Sequence, residues 1–358
     1  MKKQLFLFFL LSFSLITCKK DDNNMNTVTY DNLNTKNISK IGFGSCFLQQ
    51  FFTAEVFDEI DKKKPELFLG LGDMIYSDEF FGGGTHDTDW ASYLAGRYNE
   101  LGNMAPFQSF RSKYTIHAMW DDHDYGMNNA AGDFKNKSIS KDVFFNFWNL
   151  PKSGKRWDRN GIYDVFYYGD DAHRVQLLFL DLRWNLDNPG PEPISIITDQ
   201  TKKMMSDEQW NWLKEELKKP AKVRIICSTT QFCTEHNGYE AWANFPHEQE
   251  RMYQTIKDAK AENLFFLSGD VHIAEVNKRT PTGLYPIWDF TSSGLAQLHV
   301  SNTKPSQYRV GQAFDKNNFG TLDIDWSGTS PSVKFTAFDD KGVELLQQTI
   351  SMADLKLP

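Results

Sequence analysis

The sequence predicts an α/β fold in which mixed sheets pack face to face with helices outside. Three observations predict it. Apolar strands alternate with amphipathic helices early in the chain, and strands and turns dominate from residue 284 onward. The 358 residues are 40% hydrophobic and 24% charged, which supplies a substantial core and excludes disordered, collagen-like and disulfide-miniprotein classes. No internal repeat is visible and no long linker comes after residue 37.

Residues 38–44 read as a strand, 54–62 as a helix and 66–71 as a second strand opened by Pro65. Residues 80–103 carry Gly82-Gly83-Gly84 and many aromatics and read as a surface lid over a site. A short helix over 106–113, a strand over 115–120 and a helix over 141–149 come next. Residues 161–168 and 174–181 read as two strands joined by the turn residues Gly169-Asp170-Asp171. Residues 206–219 form an amphipathic helix with Ser206 as N-cap and Trp210, Leu213 and Leu217 on one face. Residues 223–228 and 263–268 are further strands. The aromatics Trp90, Tyr93, Tyr98 and Trp242 are expected in the core rather than in a leaving-group pocket.

The N-terminus reads as an export signal. Lys2 and Lys3 precede an apolar stretch from Leu5 to Ile16, broken only by Ser12 and Ser14 and too short to span a bilayer comfortably. It ends Leu15-Ile16-Thr17-Cys18, which resembles a bacterial lipobox and implies cleavage before Cys18 and lipidation of its thiol. The expected division is a signal peptide over 1–17, a lipidated polar tether over 18–37 and one domain over 38–358; the alternative is an ordinary secretory signal with an incidental Cys18. Loss of residues 1–17 removes Lys2, Lys3 and no acid, taking the net charge from -8 to -10. That balance excludes a general nucleic-acid binder, since phosphate contacts need a basic surface. A lipid anchor places the body beside a membrane, in the periplasm or at the cell surface, without crossing it. A monomer is expected.

Three cysteines remain. An extended strand would hold Cys227 and Cys233 roughly 20 Å apart, beyond disulfide reach, so buried free thiols are expected. Cys46 is then the unusual thiol. It belongs to a wider pattern, because five apolar strands each lead at once into reactive side chains. The ends read Gly44-Ser45-Cys46, Gly72-Asp73-Met74-Ile75-Tyr76, Trp120-Asp121-Asp122-His123-Asp124, Asp181-Leu182-Arg183 and Gly269-Asp270-Val271-His272. In open α/β sheets ligands bind at the carboxyl ends of strands. Several carboxylates on one such rim cannot coexist without cations, which points to a di- or polynuclear metal site. Thiolate and phenolate favour a strongly Lewis-acidic ion such as ferric iron or zinc. The oxygens of Asp122, Asp270 and Asn128 favour calcium, magnesium or manganese, and Asp73 can lend one oxygen to each side. Without a metal, Cys46 is a buried small hydrophobe and Tyr76 an aromatic at a strand end.

Taken together, these five strand ends resemble the PhoD family of alkaline phosphatases and phosphodiesterases, within the calcineurin-like metallophosphoesterases. The likeness runs from about residue 38 to 300 in the family's order. It implies a four-layer αββα sandwich of two mixed sheets flanked by helices. It implies Fe3+ held by Cys46, Asp73, Tyr76 and His272, and Ca2+ held by Asp73, Asp122 and Asp270 with Asn128 as an addition. Zn2+, Mn2+ or Mg2+ are substitutes. The likeness also makes His123 the acid-base histidine of a motif that here reads Asp122-His123-Asp124. Longer members carry a β-domain ahead of the Gly-Ser-Cys strand, whereas here the tether leads almost straight into it.

The expected reaction is hydrolysis of an organic phosphate ester, with a metal-bridging hydroxide attacking phosphorus in line. Asp73 sets the metal spacing and His123 donates to the leaving oxygen. Arg183 either presents its fork to the phosphoryl oxygens or pairs with Asp181 or Asp187. Asp124 either orients His123 or caps the next turn. The other histidines have no motif support, and Gln231 is left without an assigned role. An amide-cleaving metallohydrolase lacks its His-Glu-x-x-His helix. A non-catalytic surface lipoprotein with structural ions would need a closed, saturated coordination shell. A monoester dianion favours extra positive groups around the phosphate and a diester needs room for a second substituent, so the shape and lining of the cavity decide between them.

Overall fold

The computed structural model describes residues 28–77, 89–297 and 304–358. The expected signal segment over 1–17, Cys18, His86 and His299 lie outside them. Among the described residues thirteen strands run in chain order: β1 (Leu33–Asn34), β2 (Lys40–Gly44), β3 (Leu67–Leu71), β4 (Thr115–Met119), β5 (Asp164–Tyr168), β6 (Val175–Phe179), β7 (Val223–Cys227), β8 (Leu264–Ser268), β9 (Ala274–Arg279), β10 (Ile287–Ser292), β11 (Asn318–Asp325), β12 (Ser332–Asp339) and β13 (Glu344–Ser351). They form a seven-stranded sheet, β1-β5-β6-β7-β8-β10-β9, and a six-stranded sheet, β13-β12-β11-β2-β3-β4.

Parallel pairing holds the middle of the first sheet, β6-β7-β8-β10, and one end of the second, β2-β3-β4. These central strands are continuous apolar runs, Leu67-Phe68-Leu69-Gly70-Leu71 and Leu264-Phe265-Phe266-Leu267, because both faces are covered. The sheets meet where Phe290 of β10 stacks on Phe335 of β12, with centroids 5.0 Å apart. Helices Val56–Lys63 and Ala105–Lys113 cover the second sheet, with Phe57 against Phe68, Phe107 and Phe110. Helices Asp207–Leu217 and Pro246–Asp258 cover the first sheet. The result is the four-layer sandwich, with helices on both outer faces.

Ser206 is the N-cap its sequence predicts, accepting from the Gln209 N–H, and Trp210, Leu213 and Leu217 are buried. Two expectations change. Most of the lid segment over 80–103 is an α-helix, Trp90–Gly102, whose Trp90, Leu94, Tyr98 and Leu101 are buried; residues 78–88 lie outside the described part. Its Tyr98 hydroxyl donates to Asp124 at 3.1 Å, so the helix braces the site edge from behind. The 141–149 helix begins four residues earlier, as Lys137–Phe147. Cys227 and Cys233 are buried free thiols. Among the described residues no helix is long and apolar enough to cross a membrane.

Candidate metal centre

Each strand of the parallel cores ends at one rim, and the chain turns sharply there. Four of the ten described non-glycine residues with positive φ are Cys46, Asp73, Asp270 and His272. L-residues avoid that region, and such strain persists only where the surroundings over-determine it. The turns are tied across the sheets. Cys46 N–H donates to Gly72 O, Phe47 N–H to Asp73 O, and Gly294 and Leu295 N–H both to Ser45 O. Gly72 (φ +91°) is required here, since an added Cβ would lie 2.6 Å from the Asp121 Cβ.

The carboxylates of Asp73, Asp121, Asp122 and Asp270 converge, with one oxygen of each within 4.8 Å of the others; Asp73, Asp122 and His123 make a second such group. Burial, together with the neighbouring Asp122 and Asp121 charges, pushes the Asp73 carboxyl well above the usual carboxylate range. Asp270 is raised by burial and by Asp121, Glu240 and Asp122. Asp122 is the exception: against burial, His123, Arg183 and the Asn129 N–H hold it below its ordinary value. Asp121 Oδ2 and Asp122 Oδ1 are buried without a hydrogen-bond partner among the described residues. Repelling acids with orphaned oxygens fit cations bound between them.

On the other side of Asp73, Cys46 Sγ lies 3.5 Å from Asp73 Oδ2 and 3.1 Å from Ser293 Oγ. Burial pushes the Cys46 thiol up to about 12, so a bound cation is what would draw off its proton. Tyr76 shares a small buried apolar cluster with Cys46, and its hydroxyl sits 3.0 Å from His272 Nε2. Ser293 also accepts the His272 N–H at 3.0 Å and thus steadies two candidate ligands. His123 faces Tyr76, ring centroids 4.0 Å apart, with Nε2 3.9 Å from Asp122 Oδ2. Asp122, His123, Asn128, Asp270 and His272 line a cleft of about 300 Å³.

Arg183 sits elsewhere than a phosphate-binding fork would. Its side chain is fully buried, and its partners are neither the Asp181 nor the Asp187 carboxylate. Nε donates to Asp121 Oδ1, Nη1 donates to Glu240 Oε1 at 2.9 Å and Nη2 is 2.7 Å from Glu240 Oε2. Asp181 instead accepts the backbone N–H groups of Arg183 and Trp184. Asp124 caps the turn by accepting the Asp121 N–H at 3.1 Å. Gln231 is buried in a network with Glu275 and Thr291. His117, His173, His236 and His247 make ordinary contacts away from the rim, with Tyr168, Asp170 and the carbonyls of Ile194 and Lys202. Sequence reading missed Glu240, which lies in a loop with no motif or periodicity around it.

The PhoD-like phosphatase family model matches residues 41–354. The chain belongs to the PhoD-like phosphatases. Membership makes it a phosphoric ester hydrolase, and with the acidic rim a metal-dependent one. The solved structure of PhoD superposes with a TM-score of 0.67 at 16% identity, covering 90% of this chain and 73% of PhoD. GAP50, the anchor in the inner membrane complex of Plasmodium, superposes with a TM-score of 0.51 at 13% identity, covering 90% of each chain. Both likenesses speak for the fold. No curated protein matches the chain by sequence.

Proposed function

We propose that this PhoD-like phosphatase is an exported, lipid-anchored phosphodiesterase. Cys46, Tyr76 and His272 would hold ferric iron, Asp122, Asp270 and Asn128 would hold calcium, and Asp73 would serve both. The observation that carries the reading is the convergence of four carboxylates within 4.8 Å beside an open cleft. Bound cations there supply an activated water at neutral pH and offset phosphoryl charge. Asp73, with Cys46 on one side and Asp122 on the other, is placed to serve both cations. His123, at the cleft wall, gives a proton to the leaving oxygen. Arg183 is a charge fixed behind the rim and does not reach substrate. The opening of about 300 Å³ also favours catalysis over a closed structural-ion shell.

The cleft lining adds Glu192 and Glu240 but no lysine or arginine among the described residues. A monoester dianion gains from extra positive groups, whereas a diester carries one charge less. A chromogenic diester is therefore expected to turn over faster than the matching monoester, and a chelator should remove both rates. Metal analysis of the pure protein alongside those rates tests the reading. A chelated, metal-free protein that retains its rate would overturn it.

Tyr76 offers a separate check. A phenolate on ferric iron gives visible charge-transfer colour. Iron-loaded protein should be coloured and Tyr76→Phe should bleach it; a colourless, iron-replete wild type would remove Tyr76 from the ligand set.

A further inference from the structure

The rim is one end of the parallel strands; their other end carries opposite charge. Strands β6, β7 and β8 start at a hollow of about 320 Å³ lined by Lys222, Arg224, Lys260 and Lys356, with the acids Asp171 and Glu262. Both acids are already paired, Asp171 with Arg174 at 2.8 Å and Glu262 with Lys356 at 3.0 Å. Arg224 is buried, and its donors go to Glu262 O, Gln176 Oε1 and Lys219 O. Lys222 and Lys260 are exposed and have no ion pair among the described residues. Lys260 stands just past the carbonyl end of helix Pro246–Asp258, which accounts for one lysine there. Nothing comparable accounts for Lys222. The hollow is thus a positive spot on a chain of net charge -8.

The chain enters the body at this same end. The Tyr30 hydroxyl donates to Pro220 O at 3.4 Å, Pro220 lines the hollow, and the Arg174 guanidinium lies over the Tyr30 ring at 4.6 Å. Described structure starts two residues earlier, at Val28. From Cys18 to Val28 is ten positions, so even a fully extended link reaches only about 35 Å.

We propose that this hollow is the face that rests on the membrane and takes anionic phospholipid headgroups. The candidate metal cleft, a five-residue strand length or about 17 Å further on, then points away from the bilayer. The inference rests on the lipid-anchored reading above. An anchor alone sets how far the body lies from the membrane but not which face meets it; exposed lysines facing a negative surface select one orientation.

The test uses the full-length lipid-modified protein on two vesicle types, phosphatidylcholine alone and phosphatidylcholine with phosphatidylglycerol. Flotation on the first reports the anchor. Amide hydrogen exchange over 219–224 and 260–263 reports the face. Exchange there should slow roughly tenfold or more on the anionic vesicles relative to the neutral ones, and high salt should reverse it. The double variant Lys222→Glu/Lys260→Glu should float equally well and hydrolyse a soluble diester at the wild-type rate, yet lose that slowing. Equal exchange on both vesicles, with flotation intact, overturns the membrane face and spares the anchor. Failure to float on neutral vesicles overturns the anchor and the membrane-resting face with it. Slowing by inorganic phosphate without vesicles would make the hollow a small-anion site and likewise overturn the proposal.

Discussion

Replacing Asp73 with Ala should abolish hydrolysis and metal loading together. Asp73 lies between the two halves of the rim, 3.5 Å from Cys46 Sγ and grouped with Asp122 and Asp270. The expected loss is on the order of a thousandfold, about 4 kcal/mol of barrier. A second effect should run the other way. Without metal, burial and the Asp122 and Asp121 charges work against an ionised Asp73, so a side chain that carries no charge there loses nothing. Metal-free Asp73→Asn is expected to resist urea at least as well as metal-free wild type, and to be the less stable of the two once metal is added. A residue needed only for packing would destabilise both forms. Metal content by elemental analysis and paired urea curves decide the matter. A variant that retains both ions and the wild-type rate ends the shared-ligand assignment.

Arg183→Met should cost about 3–5 kcal/mol of folding stability, because it leaves buried acids without their cation. The guanidinium bridges Asp121 and Glu240, and the charges of Asp121, Glu240 and Asp122 outweigh burial and keep it protonated. Burial pushes the Glu240 carboxyl up to about 7 even against the pull of Arg183, so without that arginine it is worse placed still. Glu240→Gln in the Arg183→Met background should restore part of the loss, since one of the stranded charges is gone. Denaturant titration of the four-member set measures the coupling. Strictly additive effects would mean that the two side chains do not act as a pair.

The candidate ligands were legible in the sequence for a local reason. Cys46, Asp73, Tyr76, Asp122, Asp270 and His272 each stand within a few positions of an apolar strand end, where chain order alone puts them on a common edge. Helix Asp207–Leu217 was legible too, since its buried face and its Ser206 cap lie within one stretch. Helix Pro246–Asp258 was harder to see. Its buried face includes Glu248 and Gln249, which belong inside only because Trp210 Nε1 and Met204 N–H donate to Glu248 and because Gln249 donates to Phe232 O. Helix Trp90–Gly102 sat beside a glycine run that obscured its start.

Sequence alone therefore determined the layered α/β class, the order of the strand ends, the family they belong to and the acid-rich chemistry of the rim. Those are properties of periodicity and of the residue types placed directly after each strand. Tertiary structure decided the environment of each charge. It withdrew Arg183 from the cleft by pairing it with Glu240, a partner 57 positions away. It brought Ser293 to Cys46 across 247 positions and left the cleft lining without a lysine or arginine among the described residues. It also gathered Lys222, Lys260 and Lys356 at the far end of the sheet. Long-range pairing of polar groups has no period in the chain, because burial and charge balance act on distance in space rather than on separation along the sequence.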